Sequence, residues 1–111
     1  RKIIMNSSEF SKGIYLVHTS EMDKKNASKI ANLLLKEKLV ACVTFRDIES
    51  LFWWKGEINN SKEVELIIKC KKENLKEVCE KVSENHSYEL PEIIYFPVST
   101  NKDYYQWVYS V

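Results

Sequence analysis

Twice along this chain a strand pattern gives way to helical periodicity and then to a second strand, and few folds accommodate that order. Gly13 to Thr19 (GIYLVHT) reads as a first strand with apolar residues on both faces. Ser20 and Asp23, three apart, resemble a capping box. The helix after them runs to about Glu37, with Ala27, Ile30, Ala31, Leu34 and Leu35 as one apolar stripe. Leu39 to Phe45 (LVACVTF) is a nearly continuous apolar run, which predicts a buried strand. Ser50 to Ile58 is a further extended piece, and Asn59-Asn60-Ser61-Lys62 predicts a turn. Glu63 to Lys71 then alternates strictly. Val64, Leu66, Ile68 and Cys70 share one face; Glu63, Glu65, Ile67, Lys69 and Lys71 share the other. A second helix spans about Glu73 to Asn85 on a stripe of Leu75, Val78, Cys79 and Val82. Glu92 to Val98 is the last strand, where Pro97 suits an edge. Asp103 to Tyr109 reads as a short aromatic helix. The sum is an α+β, ferredoxin-like β-α-β-β-α-β sandwich with an antiparallel sheet, an extended hairpin between the second and third strands, and a short C-terminal helix.

At 111 residues the chain fits one domain. Residues 1–12 read as a polar N-terminal arm and 13–111 as the domain. A formal charge of +1 gives no electrostatic case for nucleic acid or an anionic membrane. No apolar run approaches the roughly 20 residues of a membrane span. Cys42, Cys70 and Cys79 cannot all pair internally and form no C-x-x-C, so a reduced, cytoplasmic location is expected.

Phe52-Trp53-Trp54 shows bulky apolar surface on both sides of an extended segment at once. Each such ring buries roughly 150–250 Å² when covered. At about 25 cal/mol per Å², leaving several exposed forfeits several kcal/mol, comparable to a domain's whole stability. Self-association is therefore expected, with Phe52, Trp53, Trp54, Tyr15 and Val17 as interface residues. The competing expectation is that the C-terminal helix, with Tyr104, Tyr105 and Trp107, folds back over the open sheet face.

His86-Ser87-Tyr88-Glu89-Leu90-Pro91-Glu92 places an imidazole, a phenol and carboxylates at a helix C-terminus. His86 serves there either as a cap favoured by the helix dipole or, with Tyr88 and Glu92, as a polar contact in a cleft. His18, near a strand end, is either an ordinarily hydrogen-bonded histidine or a ligand for a borderline-soft metal such as copper or zinc. No H-x-x-x-H or H-E-x-x-H is present, which argues against a tight preformed metal cage. Cys42 and Cys79 read as core hydrophobes, and Cys70, beside Lys69, Lys71 and Lys72, as the more open thiol. Lys69 shares a face with Glu63 and Glu65. That set is an exposed charge pairing or, if association buries the face, part of a cleft with Trp54 and Tyr88. No nucleophile–base constellation and no phosphate loop appears. Arg1 and Arg46, the two arginines, do not sit in an anion-binding loop, which argues against an acylphosphatase-like hydrolase.

These residues resemble the CutA family of divalent-cation tolerance proteins. The resemblance runs from about Tyr15 to Val108. It is carried by Leu39-Val40-Ala41-Cys42-Val43, Phe52-Trp53-Trp54-Lys55-Gly56, Glu63-Val64 through Lys69, His86-x-Tyr88-x-x-Pro91-Glu92 and Asp103-Tyr104-x-x-Trp107. It implies a ferredoxin-like subunit in a homotrimer, no enzymatic activity, a link to copper and other divalent cations without a tightly bound cofactor, and a cytoplasmic location. On that resemblance His18, His86 and Glu92 are the expected metal contacts, and Trp54, Glu63, Lys69 and Tyr88 the expected cleft residues. A rival expectation is a trimeric signalling module that holds a small anion or an unidentified partner protein in its clefts. Ser87 stands where the family usually has Pro, and His18 where some bacterial relatives carry a thiol linked to copper.

Overall fold

The structure, a computed structural model, describes residues 10–111. The expected N-terminal arm falls mostly outside the described residues, but its last part does not: the first strand, β1, spans Phe10–Glu21. The other elements are α1 (Lys24–Lys36), β2 (Cys42–Trp54), β3 (Glu57–Lys71), α2 (Leu75–Asn85, after a 3₁₀ turn at Lys72–Asn74), β4 (Ile94–Asn101) and α3 (Lys102–Ser110). The strands form one antiparallel sheet in the order β2-β3-β1-β4, the arrangement expected of a ferredoxin-like sandwich. Pro97 lies on the edge strand β4, where proline is tolerated.

Strand parity decides what the sandwich buries. Val64, Leu66, Ile68 and Cys70 of β3 all face the helices and are buried there with Val17 of β1. From α1 they meet Ala27, Ile30 and Leu34, and from α2 Val78 and Val82. Tyr15 packs against the same cluster. This corrects one expected interface residue, since Val17 is fully buried inside the subunit; Tyr15 shares its side of β1 and is partly buried against the same core. Leu16 and His18, one step out of phase, face the other way. Leu35 also departs from expectation, lying 40% exposed at the margin of the α1 stripe.

Cap chemistry sets the ends of α1. Asp23, not Ser20, is the N-cap: its carboxylate accepts from Asn26 N–H at 2.8 Å, while Ser20 remains in β1. At the other end Lys38 takes φ 56°, and Leu39 N–H reaches Leu34 C=O at 3.1 Å while Lys38 N–H reaches Leu35 C=O at 3.0 Å. That is a Schellman closure with lysine in the left-handed position usually held by glycine.

The hairpin turns at Lys55-Gly56, with φ 51° and 79°, not at the expected Asn59–Lys62. A two-residue loop with both φ values positive matches the right-handed twist of its strands. Asn59 and Asn60 pair instead with Phe52 and Leu51. Because β1 reaches β3 only as far as Val64, Glu57–Glu63 bond to β2 alone. The result is a two-stranded ribbon projecting roughly 20 Å past the sheet. Such a ribbon is marginal in water by itself.

The second sheet face is partly covered. The Tyr109 hydroxyl shares its one hydrogen between two acceptors, Gly13 C=O at 2.8 Å and Glu73 Oε1 at 3.0 Å; Lys71 Nζ donates to Val111 C=O at 3.0 Å, and Ile14 and Val108 are buried. The C-terminal helix thus folds over one end of that face. Further along, Ile94 (52% exposed) and Phe96 (38%) stay open.

Candidate functional site

The link from α2 to β4 closes over the end of β1, and a buried polar knot forms where they meet. Glu21, the last residue of β1, is completely buried. Its carboxylate accepts from Met22 N–H and Ser87 N–H, each at 2.9 Å, and from the Ser87 hydroxyl. His86, with a wholly buried side chain, lies beside it: Nδ1 is 3.5 Å from Glu21 Oε2. Tyr88 N–H donates to His86 Nδ1 at 3.1 Å, and His86 Nε2 is 3.0 Å from Thr19 Oγ1. Because Nδ1 accepts, the neutral ring carries its hydrogen on Nε2 and donates it to Thr19. Both ring nitrogens are therefore engaged.

Thr19, His86 and Glu21 have the order of a hydroxyl–imidazole–carboxylate triad but not its chemistry. A general base would present an acceptor nitrogen to the hydroxyl and hold the carboxylate on its N–H side. Here the tautomer is reversed. Thr19, Glu21 and the His86 side chain are all shut away from solvent, so no substrate reaches them. The knot joins β1 to the α2–β4 link; it is a fastening.

Tyr88 carries this fastening out to the surface. Its hydroxyl donates to Glu63 Oε2 at 2.7 Å, and its ring lies 5.1 Å from that of His86. Burial, and then the Glu63 hydrogen bond, hold the phenol above its ordinary range, so it remains a donor. Tyr88 and Glu63 line a groove of about 720 Å³ that runs along the ribbon past Phe52 and Trp54 and includes Glu92. Of the four expected cleft residues the fold thus brings together Trp54, Glu63 and Tyr88. Lys69 is excluded: it lies six positions along β3 from Glu63, about 20 Å away. There its Nζ sits 3.8 Å from Cys42 Sγ.

The expected metal contacts do not converge. Successive strand residues point to opposite faces, so His18 lies on the far side of the sheet from Thr19 and hence from His86. Glu92 is exposed at the groove. His18 packs edge-on against Phe96, ring centroids 5.3 Å apart, and its buried Nε2 has no hydrogen-bond partner among the described residues. Among the described residues no group of three or more His, Cys, Asp or Glu is placed to hold a metal ion.

The thiols exchange their expected roles. Cys70 is fully buried, and burial pushes its thiol up to about 12. Cys42 is half-buried on the opposite face beside Lys69. Glu21, central to the knot, carries no sequence signal. A lone carboxylate at a strand end reads as solvated until the link from α2 is seen to cross it. Ser87 supplies that link with two donors, an N–H and an O–H, that a proline could not provide.

The fold and groove define a class: a ferredoxin-like α+β protein whose distinguishing parts are a projecting β-ribbon and an open, carboxylate-bearing groove at its base. The chain belongs to the family described as CutA1 divalent ion tolerance protein, which matches residues 15–111. It is 37% identical over 94 residues to the divalent-cation tolerance protein CutA of Pyrococcus horikoshii, covering 84% of this chain and 92% of that one. Among solved structures it is similar to the divalent ion tolerance protein CutA1 of Ehrlichia chaffeensis, with a TM-score of 0.84, 33% identity, and coverage of 89% of this chain and 94% of that one. It is equally similar to the periplasmic divalent cation tolerance protein CutA of Archaeoglobus fulgidus, again at TM-score 0.84 and 33% identity, covering 87% and 96%.

Proposed function

We propose that this protein acts in divalent-cation tolerance as a non-enzymatic homotrimer that meets its metal, copper among the candidates, by weak contact. One observation carries the assembly. Leu51 (71% exposed), Trp53 (72%) and Ile58 (65%) form an apolar stripe on a ribbon too thin to support itself, and Trp53 pairs directly with Ile58. Covering that stripe and the open end of the second sheet face with further copies of the chain removes several hundred Å² of apolar surface from water, worth several kcal/mol. The number three follows from the family resemblance. Three free thiols suit a reducing, cytoplasmic setting.

For direct metal contact, His18 fits better than His86. Its Nε2 is unpartnered, whereas both nitrogens of His86 are already bonded. A single imidazole with apolar neighbours gives a weak site, in keeping with the absence of a ligand cluster among the described residues. The rival reading of an anion in the cleft loses support, because Lys69, its expected cation, lies outside the groove. Light scattering at several concentrations tests the assembly, with a trimer expected for the native chain and dissociation for Trp53→Lys. A stable monomer of the native chain overturns it. Titration of Cu(I) and Cu(II) against His18→Ala and His86→Ala tests the site. Loss in the first alone is expected, and equal binding by both variants removes the assignment.

A further inference from the structure

The two faces of the ribbon differ. Leu51, Trp53 and Ile58 make the outward apolar stripe. On the opposite face Phe52 and Trp54 are less exposed, at 40% each, and they share that side with Glu63 and a run of hydroxyl and amide residues. That second face lines the groove, which Tyr88, Leu90 and Glu92 close from the other side. Its lining holds two carboxylates and no lysine or arginine.

We propose that this groove binds a small organic cation, an alkyl- or aralkylammonium compound, with the ammonium at Glu63 and Glu92 and the carbon body against Phe52 and Trp54. Charge complementarity selects a cation over an anion. The aromatic walls select an organic cation over a bare ion: indole and phenyl faces attract an ammonium and cover its methylenes. A hard divalent ion would instead need six or more oxygen ligands, and no cluster among the described residues approaches that. The chain itself sets a precedent: Lys55 Nζ lies 5.9 Å from the Trp54 ring centroid. Tyr88, donating to Glu63 Oε2, fixes that carboxylate and leaves its other oxygen for a ligand.

The test uses the native assembly, calorimetry and tryptophan fluorescence. The probes are tetramethylammonium, 1,4-diaminobutane and benzylammonium, with inorganic phosphate and Zn(II) as comparators. Saturable heat and a fluorescence change are expected with at least one ammonium probe. Affinity should fall about tenfold in Glu63→Gln, the scale of one lost charge-assisted hydrogen bond, and fall also in Glu92→Gln. It should not change in Glu80→Gln, which alters a carboxylate on α2 that pairs with Lys76. No saturable response to any ammonium probe overturns the proposal. So does unchanged affinity in both folded groove variants, or tighter binding of phosphate or Zn(II) that persists in Glu63→Gln. Oligomeric state, measured on the same samples, reports separately on the assembly.

Discussion

Replacing Glu21 by alanine is the sharpest test of the buried knot. The substitution strips the acceptor from Met22 N–H, Ser87 N–H and the Ser87 hydroxyl, and removes the carboxylate beside His86. Each buried donor left unpaired costs about 1–3 kcal/mol. Part of that is returned, because a buried carboxylate no longer has to be held out of water. The net loss expected is about 3–5 kcal/mol, the range found when one partner of a buried polar pair is removed. Against a typical domain stability of about 5–15 kcal/mol this is a large fraction. Urea unfolding followed by tryptophan fluorescence reads it. With a slope of about 2 kcal/mol per M, the midpoint should fall by roughly 1.5–2.5 M. Protomer concentration must be equal for all variants, because assembly adds to apparent stability. Glu21→Gln keeps the shape and one acceptor oxygen and should lose about 1–2 kcal/mol. Ser87→Ala removes the hydroxyl alone and should lose less than Glu21→Ala. The double variant should fall short of the sum of the singles, since both act on one network. A midpoint shift under about 0.5 M for Glu21→Ala would refute the claim that this knot fastens β1 to the α2–β4 link.

Lys38→Gly relieves a left-handed lysine at the end of α1 and should stabilise by about 0.5–1 kcal/mol, read in the same urea assay; destabilisation would show that the lysine side chain contributes more than the strain it bears. The Tyr109 phenol is raised to about 12, first by burial and then by its hydrogen bond to Glu73. Its contribution is therefore whole below pH 10 and declines as pH rises toward 12, because the unfolded state loses its proton first. Native protein should lose midpoint stability across that window more than Tyr109→Phe does. With Cys70 buried and its thiol held near 12, a thiol reagent at pH 8 should modify Cys42 and Cys79 well before Cys70, as peptide mapping would show. Early labelling of Cys70 in folded protein would contradict its burial.

The element order, the inward face of β3 and the edge position of Pro97 were legible in the chain itself. Period-two and helical spacing are local properties, and burying one face of each element leaves few arrangements. The aromatic run Phe52-Trp53-Trp54 likewise announced apolar surface on both sides of the ribbon, because adjacent strand residues must point both ways. Three-dimensional packing decided the rest. Which parity of β1 meets the helices is a matter of register, and it moved Val17 into the core, with Tyr15 packed at its margin, while turning His18 to the opposite face. The Lys55-Gly56 turn prevailed over the asparagines at Asn59-Asn60 because strand pairing and twist extend the ladder to it. Glu21 and Ser87 meet across 66 positions of sequence, a contact no local pattern encodes. The groove depends on the same closure, since Tyr88 reaches Glu63 only after the link from α2 has crossed the end of β1. Periodicity specifies which side of an element is apolar. Only the folded chain specifies which polar groups are thereby brought together out of water, and it is there that the unpaired donor or acceptor becomes costly enough to matter.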